Sequence, residues 1–221
     1  MQDSENLNMC YVDIHTHTEK HAKGVVSLYS LRVGKEVWRD MEKPYWAGIH
    51  PWDAGIADEK GLEWLAEKNM SGIGEIGLDK IKGGAWESQV LWFERQLRIA
   101  ADRQLPVALH VVRAHEECFQ VLKKERGKVP GIVVHGFIGD TRLAERYLKI
   151  GGFLSFSLRA LSSPRTVEAV KRLPLDRIFL ETDDREEPIR EVYRSFADLL
   201  EIPEQELKER LFLNYKNFFR I

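Results

Sequence analysis

Two histidines one residue apart close an apolar run near the start of the chain, Tyr11-Val12-Asp13-Ile14-His15-Thr16-His17. In an extended segment, residues two apart share a face, so His15 and His17 point the same way beyond the strand end. Other short apolar runs end on, or contain, a polar residue able to hold a metal: His50 after Gly48-Ile49, Glu75 within Ile73-Gly74-Glu75-Ile76, His110 after Val107-Ala108-Leu109, His135 after Ile132-Val133-Val134, and Asp183 after Leu180-Glu181-Thr182. Imidazoles joined by carboxylates make a mixed nitrogen and oxygen shell that suits Zn²⁺ or Mn²⁺ and also accepts Fe²⁺, Ni²⁺ or Co²⁺. His15, His17, His110, His135, Glu75 and Asp183 exceed the needs of one tetrahedral ion. Two divalent ions sharing Glu75 as a bridge use them more naturally. Such ions bring the pKa of water near neutrality, and hydrolysis is the chemistry this offers. A single histidine at a strand end is ordinarily a hydrogen-bonded rim residue; the functional reading rests on the whole set recurring at separate strand ends. His21 and His115 have no strand context and read as solvent-exposed loop or helix residues.

Those ends can meet only if the strands run together. Eight runs rich in β-branched and aromatic residues are spaced along the chain, at 11–15, 25–31, 45–50, 71–79, 106–111, 131–137, 151–157 and 176–183. Amphipathic stretches separate the later ones, such as Trp86 to Arg103, where Val90, Phe93, Leu97 and Ala100 form one stripe. This alternation predicts parallel βαβ units closed into a TIM (β/α)8 barrel, with an open doubly wound sheet as the other arrangement that periodicity allows. In a barrel all strand ends lie on one rim. The segments from His15 to Val25 and from Gly34 to Lys43 are short, so the first two helices are expected to be shortened or missing. Glu204 to Phe219 reads as a closing helix that packs through Leu207, Leu211, Phe218 and Phe219.

The 221 residues, 43% of them hydrophobic, suffice for one large core, and a single domain over 1–221 is expected. The formal net charge is −2, with both signs interspersed, so no global positive field draws in nucleic acid, and any such contact must be local. Cys10 and Cys118 lie far apart with no metal-ligand spacing, and the sequence shows no signal peptide or long apolar span. A soluble, cytoplasmic protein with no membrane contact and no obligate protein partner is expected.

Several segments together resemble one family. They are DIHTH at 13–17, GIHPWDA at 48–54, GEIGLD at 74–79, Gln89, Phe93 and Gln96, PVALHVVRA at 106–114, VVHGFIG at 133–139, GGFLSF at 151–156, FLETDD at 179–184, and Asn214 with Phe218. In order and approximate spacing they are similar to the TatD-type metal-dependent hydrolases, within the wider amidohydrolase group. The resemblance implies a TIM barrel with two divalent ions (Zn, Mn, Mg, Ni or Co) and phosphodiesterase or deoxyribonuclease activity on DNA or a small phosphoester. It implies His15 and His17 on the first metal, Glu75 between the two, His110 and His135 on the second, and Asp183 on the first while orienting the water and accepting its proton. Arg113 sits one residue later than the family's His-x-Arg spacing and is expected to clamp a phosphate or carboxylate through its fork. His50 and Trp52 fall on the family's GxHP turn, where the imidazole is expected to donate to a phosphate and the indole to stack on a base or sugar. Two features depart from the family. Asp183 runs straight into the acidic Asp184-Arg185-Glu186-Glu187-Pro188, and Ile138 stands where relatives tend to carry Ser or Thr. An acidic rim disfavours a polyanion. A small amide, lactone or phosphorylated metabolite is therefore the alternative substrate, and a binding module that has lost catalysis is the alternative from another class.

Overall fold

The computed structural model describes residues 9–19, 22–35, 41, 44–125 and 127–221. Eight parallel strands form one sheet in the order β1 to β8: Tyr11–Thr16, Val25–Arg32, Tyr45–Gly48, Gly72–Asp79, Val107–Val112, Ile132–Val134, Phe153–Phe156 and Ile178–Leu180. An isolated parallel bridge between Thr16 and Asp183 joins the first strand to the end of the last, making a nearly closed barrel. The seam is thus drawn together by the backbone of three expected site residues. His17 N donates to Asp183 O, and Asp183 N to His15 O, both at 3.0 Å.

Helices follow the strands from β3 onward: α1 Glu59–Glu67, α2 Trp86–Asp102, α3 His115–Lys124, α4 Thr141–Lys149, α5 Pro164–Arg172, α6 Ile189–Leu200 and α7 Glu204–Phe219. Among the described residues no helix lies between β1 and β2 or between β2 and β3, in line with the short spacers there. His21 lies outside the described residues.

The amphipathic pattern of α2 buries Phe93, Leu97 and Ala100 against the sheet, with Val90 half-buried. Its two buried glutamines each bond to the backbone at a strand end. Gln96 accepts from Ile49 N at 2.6 Å and donates to Ile49 O at 3.1 Å, and Gln89 accepts from Asp79 N at 2.8 Å and donates to Asp79 O at 3.1 Å. Both fix the backbone beside a site residue. Asn214 of α7 does the same at the other end of the barrel, donating to Leu175 O and Ile178 O at 2.7 and 3.0 Å.

Two apolar layers result. One lies between strands and outer helices; the other fills the barrel interior with Val12, Ile14, Leu28, Trp46, Ala108, Val133, Phe153 and Phe179 and is plugged by Phe212, Tyr215 and Phe218 of α7. Stepping two residues along each strand from this interior layer reaches the next layer up: Ser30, Gly48, His110, His135, Ser155 and Glu181. Two strands break the count. In β1 the interior residues Val12 and Ile14 are followed by His15 and His17, and in β4 the interior-facing Gly72 and Gly74 are followed by Glu75. These are the strands with register irregularities, between Asp13 and Thr16 and between Ile73 and Ile76. An inserted residue re-aims the side chains beyond it. Gly74 and Gly77 make this possible in β4. A Cβ on Gly74 would lie 2.6 Å from Ala108 Cβ, and one on Gly77, at φ +143°, would lie 2.1 Å from His110 O.

Candidate metal centre

Glu75 lies at the middle of the upper layer, 3% exposed, and its two oxygens face different imidazoles. Oε2 is 3.5 Å from His15 Nε2 and 3.2 Å from His17 Nε2. Oε1 is 2.6 Å from His135 Nε2, 3.3 Å from His110 Nδ1 and 3.6 Å from His50 Nε2. Asp183 completes the first group, its Oδ1 lying 3.7 Å from His17 Nε2 and 3.9 Å from His15 Nε2. Asp183 adopts φ +57°, a left-handed conformation that Asp tolerates better than most residues. All six residues expected from the sequence to hold metal therefore converge.

The donor set calls for a cation. Both ring nitrogens of His15 and Nδ1 of His135 are buried without a hydrogen-bond partner among the described residues, a cost that coordination would remove. His15 with His17 and Asp183, and His15 with Glu75 and His135, each bring ligand atoms within 4.8 Å of one another. Protons stand in for the cation in the metal-free chain. Burial works against the charged forms of His17, His110 and His135, but the nearby carboxylates outweigh it and raise all three above the ordinary imidazole value. Burial likewise opposes ionisation of Glu75, and the surrounding histidines hold it well below the usual carboxylate range.

His50 behaves differently. Its Nδ1 accepts from Trp52 N at 3.1 Å, and burial pushes its pKa down to about 4. A neutral ring that accepts at Nδ1 carries its hydrogen on Nε2. His50 groups geometrically with Glu75 and His110, but as a donor pointing into the site.

The indole of Trp52 is already engaged: Nε1 donates to Asp79 Oδ2 at 2.7 Å, and the Lys82 ammonium sits 3.4 Å from the ring centroid. Lys82 thus lies against the indole ring, and the indole N–H is held by Asp79. Arg113 stands exposed at the rim, φ +51°, bordering the same cleft as His110, His135 and Asp183. His115 differs from expectation. It is half-buried, with Nδ1 2.9 Å from Tyr147 Oη, and it too borders the cleft.

Three buried carboxylates behind the site were not singled out as site residues by sequence reasoning. Asp79 Oδ2 lies 3.2 Å from His110 Nε2, and its Oδ1 accepts from Ile81 N and Lys82 N. Its burial is outweighed by those bonds and the one from Trp52, so it is held below the usual range. Glu181 accepts from Gly136 N at 2.7 Å and from Ser155 Oγ, and lies 3.6 Å from His135 Nδ1. Asp13 accepts from Thr182 N and Thr182 Oγ1 at 3.0 and 2.7 Å, tying β1 to β8, and burial pushes it up to about 7. Glu181 was legible, since it shares the strand phase of Asp183 two residues on. Asp79 and Asp13 gave no signal beyond lying inside motifs.

Imidazoles and carboxylates at the rim of a parallel barrel define a metal-dependent hydrolase. The model of the family described as TatD related DNase matches residues 17–220, and the chain belongs to that family. It is 30% identical over 198 residues to an uncharacterized metal-dependent hydrolase, YabD, of Bacillus subtilis, covering 79% of this chain and 76% of that protein. It is 32% identical over 145 residues to the 3'-5' ssDNA/RNA exonuclease TatD of Escherichia coli, a match that covers 62% of this chain and 56% of that one. The solved structure of YjjV, a TatD homologue from Escherichia coli, superposes with a TM-score of 0.81 over 96% of this chain and 99% of that chain, at 24% identity. Among the described residues no helix is long and apolar enough to cross a membrane.

Proposed function

We propose that the chain hydrolyses phosphodiester bonds in DNA or in small phosphoesters, using two divalent ions held by His15, His17, Glu75, His110, His135 and Asp183. The ions supply Lewis acidity toward water and phosphoryl oxygen. The protein's own groups supply placement and proton transfer. Glu75 directs one oxygen to each half of the cluster, fixing the halves relative to one another. Asp79 orients His110 through Nε2 and leaves Nδ1 facing Glu75, and Trp52 holds Asp79 in turn. Glu181 faces the second nitrogen of His135 in the same way. Asp183, 15% exposed where the cluster opens to solvent, accepts the proton of the attacking water at its carboxylate. His50 Nε2–H and the fork of Arg113 take the phosphoryl oxygens, and Trp52 acts through Asp79 and His50 rather than by stacking.

The observation that carries the phosphodiester reading over an amide or lactone is the cationic border of the cleft beside the cluster, where Arg113 and Arg165 stand without an acid partner among the described residues on a chain of net charge −2. The acidic segment after Asp183 opposes a polyanion less than its sequence implies, because Asp184 is paired with Arg159. The exonuclease name of the Escherichia coli relative agrees with this reading. The test is elemental analysis of the purified protein, then recovery of activity with Mg²⁺, Mn²⁺, Zn²⁺ and Ni²⁺ on single-stranded DNA, bis-p-nitrophenyl phosphate and a panel of amides and lactones. Cleavage of the phosphodiesters is expected; turnover confined to amides or lactones would refute the proposal.

A further inference from the structure

The cleft beside the cluster carries more cationic charge than one scissile phosphate requires. It encloses about 530 Å³, within the size range of sites that hold a small molecule. Arg113 leaves the end of β5, whereas Arg159 lies in the 3₁₀ turn Leu158–Ser162 after β7 and Arg165 in the first turn of α5. Strands β5 and β7 are two strand spacings apart, roughly 10 Å, so Arg113 and the two later arginines reach the cleft from separate loops.

Pairing varies along the surface: Arg95 is matched by Glu59, Arg146 by Glu116 and Arg172 by Glu168, whereas the exposed Arg98, Arg142 and Arg210 have no acid partner among the described residues. In the cleft, the exposed Arg113 and Arg165 make no ion pair with a described residue. The acids bordering the cleft are already committed, Asp140 to capping α4 through Leu143 N at 2.8 Å and Asp183 to the metal cluster. Arg159 alone is held, Nη2 donating to both oxygens of Asp184 at 3.0 Å, with both side chains more than half exposed. An exposed pair of this kind is weak and open to exchange for a better anion. Phosphate presents the bidentate face that a guanidinium fork prefers. The start of α5 adds the positive end of its dipole on the same side.

We propose that Arg159 and Arg165 form a second anion subsite that binds a phosphate not being cleaved, and that Asp184 occupies Arg159 until this phosphate displaces it. The substrate class is then a phosphodiester with a second phosphoryl group one nucleotide away, such as a chain end bearing a terminal phosphate, rather than an isolated diester. This rests on the phosphodiesterase reading above.

The experiment compares kcat/KM of the metal-loaded protein on thymidine dinucleotides carrying a 5′-phosphate, a 3′-phosphate or two terminal hydroxyls, with bis-p-nitrophenyl phosphate as the single-phosphate control. One phosphorylated dinucleotide is expected to exceed its hydroxyl counterpart by on the order of tenfold, the worth of one charge-assisted contact. In Arg165→Gln and Arg159→Gln that ratio should fall toward one, and in Asp184→Asn it should rise by roughly twofold to fivefold, the worth of an exposed ion pair. Equal rates on all three dinucleotides, with bis-p-nitrophenyl phosphate still cleaved, would overturn the subsite and leave the phosphodiesterase reading standing. So would a preference that survives both arginine variants. Failure of the loaded protein to cleave any of the four compounds removes the phosphodiesterase reading, and the subsite with it.

Discussion

The two ends of the barrel interior are built from the same strands and obey opposite rules. Below, Phe153 stacks on Phe179 at 5.2 Å and 27°, Phe218 of α7 meets both edge-on, and the indole N–H of Trp46 is held by Ile14 O, so the apolar layer is satisfied as it stands. Two residues further along the same strands, Ser155 and Glu181 replace the two phenylalanines, and a layer of imidazoles and carboxylates sits over them, with the His15 ring nitrogens lacking a hydrogen-bond partner among the described residues. The lower layer is complete in the bare chain, whereas the upper one is completed by something the chain binds. Stability belongs to one end, and function to a cluster whose buried charges are compatible with folding only when mutually paired.

The sharpest way to break this contrast is Glu75→Gln, which keeps the shape and removes the charge shared by both halves of the cluster. Turnover should fall by at least about a thousandfold, the several kcal/mol that metal-assisted charge stabilisation contributes, with metal content reduced and the circular dichroism spectrum kept. Near-normal activity at full metal content is the result that removes Glu75 from the centre.

Phe179→Ala tests the other end. Phe179 is fully buried, and its truncation should cost about 3–5 kcal/mol in a urea denaturation series, while the folded protein still binds its metal stoichiometrically. A loss under about 1 kcal/mol, or a folded variant without metal, would show that the two layers are not separable.

The smallest effect concerns pH. His17, His110 and His135 are held above the ordinary imidazole value in the metal-free chain, so they keep their protons further up the pH scale, and metal must displace them. Affinity should therefore fall as pH is lowered, by about tenfold per pH unit for each proton displaced. Calorimetry in buffers of different ionisation enthalpy reads the proton release directly; none released, with affinity flat between about pH 6 and pH 8, is the contrary result.

The strands, the late helices and the inward direction of His110, His135 and Asp183 were legible because they depend on local pattern. Apolar runs ending in His110, His135 and Asp183 carry their side chains inward by simple alternation from Ala108, Val133 and Phe179. The closing helix spans Glu204–Phe219, as its periodicity predicts. Asp79 and Asp13 were missed as positioning groups because their partners, His110 and Trp52 for one and Thr182 for the other, are far away in sequence.

Residue order alone thus determined which side chains could meet, since strand phase and the parallel barrel bring like ends to one rim. Tertiary structure decided how they meet. Alternation counted from Val12 and Gly74 points His15 and Glu75 away from the interior; they face it only because β1 and β4 each slip register against a neighbour. A bulge is set by how two strands pair, which no single strand's pattern records. The same holds for the arginines of the cleft: Arg113 stood out in the sequence beside His110, but Arg159 and Arg165 did not, and the three border one cleft only when the loops after β5 and β7 are brought together.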